Sequence, residues 1–292
     1  MKPLSRLACL AVMALGPSAL VDCEALGSGV LGGVSTAACP ELGVNVNAAG
    51  AVYTSRADFN AKIGAFVVAT KDLMSIAAQA EAETAQACVR IGHDIGLSDQ
   101  EMAPRQGEGG RASGACSAVA ARMDGILSTT GLRFLVTVVP PQCQANAQAY
   151  SNCTGQCNAA AGMSTAQGGG SADAECNASC KAHAEFTAYC TPAAVTVIPN
   201  QSHEMALRLA NSLRANLPLL LHAQIALGKR VIADADTVVQ VGKNMPGIIG
   251  KAGAHAVACV ASAATMTVSA SASIKVSVQA SASVTTRAGA GG

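Results

Sequence analysis

The chain has no tryptophan and only three tyrosines and four phenylalanines, although half of its 292 residues are hydrophobic. A core without large rings must be thin, with backbones held close by small side chains. Charge is equally scarce: the formal net value is +1. That balance lacks the clustered basic excess by which proteins meet nucleic acid or anionic membranes, and no nucleic-acid partner is expected. Beyond the N-terminus no segment offers the roughly 20 unbroken apolar residues of a spanning helix. C-x-x-C, H-x-x-x-H and H-E-x-x-H motifs are all missing, which removes the local signatures of dithiol redox enzymes and zinc proteases.

What is present begins with an export signal. Lys2 and Arg6 precede an apolar stretch from Leu7 to Leu20, broken by Pro17 and followed by small residues at Ala25 and Gly27. Residues 1–27 are read as a signal peptide. The segment Leu20-Val21-Asp22-Cys23 loosely matches a lipoprotein box, with Asp22 where a small residue is wanted, so the chain is also a lipoprotein candidate. Either way Cys9 is removed and ten of the 12 cysteines stay available for disulfides. An even number in an exported chain implies an oxidised framework.

Six of the ten lie in mirror image. Cys143, Cys153 and Cys157 face Cys176, Cys180 and Cys190, with steps of ten, four, nineteen, four and ten. Pairing from the outside in gives 143–190, 153–180 and 157–176, a hairpin stapled by three rungs. With residue i facing residue 333 − i, Val136 meets Val197, Thr137 meets Thr196 and Val138 meets Val195. Period-two alternation and the shared parity of the cysteines favour a β-ribbon over residues 133–200. The alanine-rich stretch around the inner rungs keeps a helical hairpin open there. Cys88 with Cys116 would staple two helices, which leaves Cys39 with Cys259 by elimination. The two C-x3-C segments could instead form a four-thiolate zinc site; export argues against it, and Cys143 and Cys190 would then have no role.

Ser55 and Asp58 resemble a helix cap. From there Phe59, Ile63, Phe66, Thr70, Leu73, Ala77, Ala80, Thr84, Ala87, Ile91 and Ile95 recur in steps of four and three. That heptad predicts a long coiled-coil-like helix. A second helix is expected over 111–130, stopped by Gly131. A third starts near Ser202 and is kinked at Pro218; a short fourth starts near Pro246 and ends near Val260. Residues 44–53 alternate like a short strand. At the C-terminus, Met266, Val268, Ala270, Ala272, Ile274, Val276, Val278, Ala280, Ala282 and Val284 alternate with polar residues, which predicts a long strand within 262–287. It is far longer than the usual five or six residues or so. Its lack of aromatics argues against a membrane-barrel strand.

Chemistry-bearing groups are thinly spread. His93-Asp94 reads as a surface pair at a helix end, and Asp234 and Asp236 point to different sides of a helix. The glycine-rich runs at 107–110 and 168–171 match no phosphate-binding pattern, and Ser113-Gly114 makes no nucleophile elbow. The glycan triplets at Asn152, Asn177 and Asn200 are read as chance matches. No catalytic residue, cofactor or metal ligand is assigned.

The run CNASCKAHAE at 176–185, Cys190-Thr191-Pro192 and the Ser-Ala-Ser-Ala tail resemble a group of uncharacterised exported bacterial proteins. That group joins cysteine-spaced, Ala/Ser-alternating strands to a heptad-bearing N-terminal half. The resemblance implies export and a disulfide-rich fold and lends no activity.

The sequence thus predicts one elongated α+β domain over 28–292, with long antiparallel helices packed on an elongated antiparallel sheet that carries the disulfide-laddered hairpin. The expected role is non-enzymatic: a structural or binding protein of the periplasm, outer membrane or extracellular space, with an envelope or protein partner or self-assembly left open. A membrane-active, pore-forming protein is the first alternative, and an enzyme with a dispersed site the second.

Overall fold

A computed structural model describes residues 38–43, 45–162, 172–249 and 253–289. The expected signal peptide with Cys9 and Cys23, the lead-in before residue 38, the glycine run at 168–171 and the last three residues lie outside the described residues. The chain is α+β in the general sense: mostly helical, with two small antiparallel sheets of two strands each among the described residues.

The elements in chain order are α1 (Ala57–Asp94), α2 (Gly110–Thr130), β1 (Phe134–Val139), β2 (Cys143–Gln144), α3 (Ala147–Gly162), α4 (Ala172–Phe186), β3 (Tyr189–Cys190), β4 (Ala194–Pro199), α5 (Glu204–Leu221), α6 (Lys229–Ile249) and α7 (Ala254–Ala288). A single turn at Pro40–Leu42 precedes them, and a π turn at His222–Ala226 joins α5 to α6.

Helix α1 is the axis, and α7, α2, α4 and α5 all pack on it. Its 38 residues span about 57 Å at 1.5 Å per residue. Phe59, Ile63, Phe66, Thr70, Leu73, Ala77, Ala80, Thr84, Ala87 and Ile91 are all buried, so the heptad read from the sequence is the face that packs. The expected cap at Ser55 does not form: the helix starts at Ala57 after Arg56, whose guanidinium takes Asp58 at 2.7 Å. Helix α2 ends at Gly131, which adopts the left-handed backbone (φ 65°) open to glycine without strain.

The expected C-terminal strand is a helix. Within α7, Ala256, Val260, Ala263, Thr267, Ala270, Ile274, Ser277, Ser281, Val284 and Ala288 are all buried, again in steps of four and three. Thr267 fits there because a threonine in a helix can bond its own preceding turn, whereas the hydroxyl of Ser277 is buried with no hydrogen-bond partner. Thr267 donates to the Ala263 carbonyl at 2.8 Å. The short helix expected from Pro246 to Val260 is corrected too: α6 runs to Ile249 and α7 starts at Ala254.

Orientation also differs from the antiparallel expectation. Glu81–Arg111, Cys88–Cys116 and Ile95–Arg122 contacts advance in the same direction along both chains, so α1 and α2 run parallel. Helices α5 and α6 run back: His222 faces Glu83, and Gly242 lies against Phe66. A Cβ at Gly242 would stand 2.9 Å from the Phe66 ring, so the close approach there requires glycine. Pro218 sits inside α5, and the hydrogen-bond ladder widens into the π turn one turn later.

The ribbon is real but shorter than expected. β1 and β4 pair from Phe134↔Pro199 to Val139↔Ala194, and β2 and β3 pair Cys143↔Cys190, in the predicted mirror register. Beyond Gln144 the backbone turns helical. Asn146 caps α3, accepting from Ala149 N at 3.0 Å, and α3 and α4 form the helical hairpin of the inner rungs. The C-x3-C spacing satisfies both readings, since residues four apart share a helix face as well as strand parity. Residues 45–53 form no strand: Asn60 Oδ1 takes the Tyr53 and Thr54 amides at 3.0 and 2.8 Å, and Asn47 Oδ1 takes that of Ala49 at 3.1 Å.

Five disulfides join the described cysteines: 39–259, 88–116, 143–190, 153–180 and 157–176. These are the pairs expected from the mirror, the helix staple and elimination.

Candidate binding cleft

The neck where the ribbon, hairpin and π turn meet α1 encloses a cleft of about 230 Å3. Helix α1 contributes Ile76, Gln79, Ala80 and Glu83, spaced so that one helical face lines it. The end of α4 and the neck supply Glu185, Phe186, Tyr189 and Cys190, while the π turn, the link after it and α6 supply His222, Ala226, Leu227, Arg230 and Val231. A π turn carries one extra residue per turn, a distortion frequent at functional sites; here it delivers His222 to the side of α1.

The polar groups are paired across elements. Arg230 bonds the Glu185 carboxylate, joining α6 to α4. His222 Nδ1 stands 3.8 Å from Glu83 Oε2, joining the π turn to α1. Tyr189 is 74% exposed. Beside the cleft, Asp234 is half-buried one turn after Arg230. Burial raises its carboxyl above the ordinary aspartate range, the negative Glu185 adds to this, and Lys181 and Arg230 oppose it. On the other side of α4, His183 Nδ1 bonds Asp72 of α1. An apolar floor with a rim of paired polar groups suits a small molecule that has an apolar body and a few hydrogen-bonding groups.

A second hollow, of about 310 Å3, lies at the far end of α1 among His93, Gly96, Arg122, Met205 and Arg208. His93 bonds Asp99 at 2.8 Å there rather than its neighbour Asp94. Asp234 and Asp236 diverge as expected, Asp236 meeting Lys275 at 2.9 Å. Asn200, read as a chance glycan triplet, ties the ribbon base by accepting from Arg133 N at 2.8 Å. His203 caps α5 by accepting from Ala206 N at 3.0 Å.

Glu83, Glu185, Arg230 and the Asp72–His183 pair carry no site signal in the sequence. They come from separate segments with no local motif, so only the tertiary fold unites them. No family model, curated protein or solved structure matches the chain.

Proposed function

We propose that the protein is an exported, non-enzymatic structural or binding protein that works as a stiff body. The observation that carries this reading is the doubly heptad-spaced, buried face shared by α1 and α7, a coiled-coil-like seam, with the 88–116 bridge tying α1 to α2 and the 39–259 bridge tying the N-terminal segment to α7. The disulfide framework fits an oxidising space such as the periplasm or cell exterior. The cleft at the neck is the place where such a body would hold a small ligand. Purified protein tested on generic ester, peptide and glycoside substrates is expected to turn none of them over. Turnover abolished by His222→Ala with the fold intact would defeat this reading.

One observation favours a membrane-active role as the second reading. α1 and α7 are long and apolar enough, by length and composition, to cross a membrane, though about half of each apolar stretch is buried, as in an ordinary core helix. From Ala256 to Ile274 no charged residue interrupts α7. Dye release from liposomes at micromolar protein would support it; no release across lipid types and pH would remove it.

A further inference from the structure

Away from the cleft, four ligand-type side chains converge where the N-terminal segment meets the first turns of α7. Cys39 precedes the Pro40–Leu42 turn and Glu41 lies within it. His255 and Cys259 stand four residues apart on α7 and so share a face. Glu41 Oε2 lies 3.4 Å from Cys39 Sγ and 3.3 Å from Cys259 Sγ, while its Oε1 lies 3.1 Å from His255 Nε2. The two sulfurs and a Glu41 oxygen all fall within 4.8 Å of one another. Both cysteines are fully buried, whereas the His255 side chain is 45% exposed and leaves an approach on the imidazole side. The Tyr53 ring stacks on His255 with centroids 6.3 Å apart, and its hydroxyl donates to the Ala48 carbonyl at 3.0 Å. The imidazole is therefore held in place.

In the bridged state the sulfurs carry no proton, so Glu41 sets an electron-rich oxygen against two electron-rich atoms. The dithiol state supplies what that arrangement lacks, either two S–H donors or a cation shared by all four groups. Two thiolates, one imidazole and one carboxylate form a set suited to tetrahedral, zinc-like coordination.

We propose that in the dithiol state Cys39, Glu41, His255 and Cys259 bind a zinc-class divalent cation, so that this junction closes by a disulfide when oxidised and by a metal when reduced. The chemistry balances. Two equivalents of a thiol reductant give two electrons and two protons to the Cys39–Cys259 bond and leave as their own disulfide. Metal binding then displaces both thiol protons, and His255 contributes the Nε2 lone pair with its proton on Nδ1. Either closure ties the N-terminal segment to α7.

The test uses Co2+ on the full chain, reduced anaerobically with a phosphine, and reads the thiolate-to-cobalt charge-transfer band. The four hairpin cysteines that make the 153–180 and 157–176 rungs are a competing site after reduction, so stoichiometry matters. Reduced wild type is expected to bind through thiolate and the oxidised chain to show no band. Cys39→Ser/Cys259→Ser should lose one equivalent of cobalt. His255→Ala and Glu41→Gln keep every cysteine and should weaken binding about tenfold or more; they carry the test should the double variant not fold. A reduced chain with no thiolate band overturns the proposal. So does equal uptake by wild type and the double variant, or affinity unchanged in both single variants.

Discussion

Thr70 and Thr267 bring their hydroxyl oxygens within 3.0 Å across the α1–α7 contact, 197 residues apart in the chain. Thr84 and Ser281 meet at 3.4 Å with the same separation of 197. Equal offsets, advancing together, mean that the two helices run parallel and in register over two heptads. Every buried heptad position of α7 from Ala256 to Ala288 stands at that offset from one of α1. Cross-seam polar pairs of this kind select register, the use best attested for buried polar residues in helix pairs.

Thr70→Val and Thr267→Val should each cost about 1 kcal/mol, the net worth of one hydrogen bond. Each remaining hydroxyl still bonds its own preceding turn, Thr70 to the Phe66 carbonyl at 2.9 Å. The double variant should therefore lose less than the sum, since replacing both partners removes the buried polar pair altogether. Urea denaturation of the four proteins measures the coupling; strict additivity would show that the two hydroxyls do not interact.

Ile274 and Val268 separate a helix from a strand at the C-terminus. In a strand both would face the same side. In α7, Ile274 is fully buried and Val268 is 52% exposed. Ile274→Ala should cost about 2–5 kcal/mol through lost burial and a cavity. Val268→Ala should stay within about 0.5 kcal/mol. Equal losses in denaturant melts would contradict the helix.

Asp234 links the neck to pH. Its carboxyl is raised in the folded state, chiefly by burial and then by Glu185. A raised carboxyl favours the fold while protonated, and that advantage is lost as pH rises through the folded value. Asp234→Asn should therefore melt higher than wild type at neutral pH, with the gap closing once pH falls below the ordinary aspartate range. Thermal melts at neutral and acid pH check the sign; a gap that widens in acid would reverse the assignment.

The parts legible in the sequence were those whose signal repeats. The cysteine mirror placed three rungs and the Val136–Val197 register, and the α1 heptad stood out because Phe59, Ile63, Phe66, Leu73 and Ile91 are large. Helix α7 was hidden. Its largest seam residues, Val260, Ile274 and Val284, fall at spacings that suit both a two-residue and a 3.5-residue period. The odd seam positions are Ala263, Thr267, Ser277 and Ser281, small groups that read as the polar face of a strand. Only the excessive length of that strand pointed the other way. At the inner rungs, C-x3-C spacing fits both geometries, and the capping bond of Asn146 decides for helix. The cleft left no trace, because Glu83, Glu185, His222 and Arg230 gather only after α1, α4 and α6 pack.

The central proposal is an exported body locked by five disulfides. The intact mass of the mature protein from its native cells, taken before and after reduction, tests it most directly. The account predicts a chain shortened at its N-terminus, starting at Ser28 or at an acylated Cys23, that gains ten hydrogens from its five bridges on reduction. A full-length chain that gains none would contradict both the export and the framework on which the fold is argued.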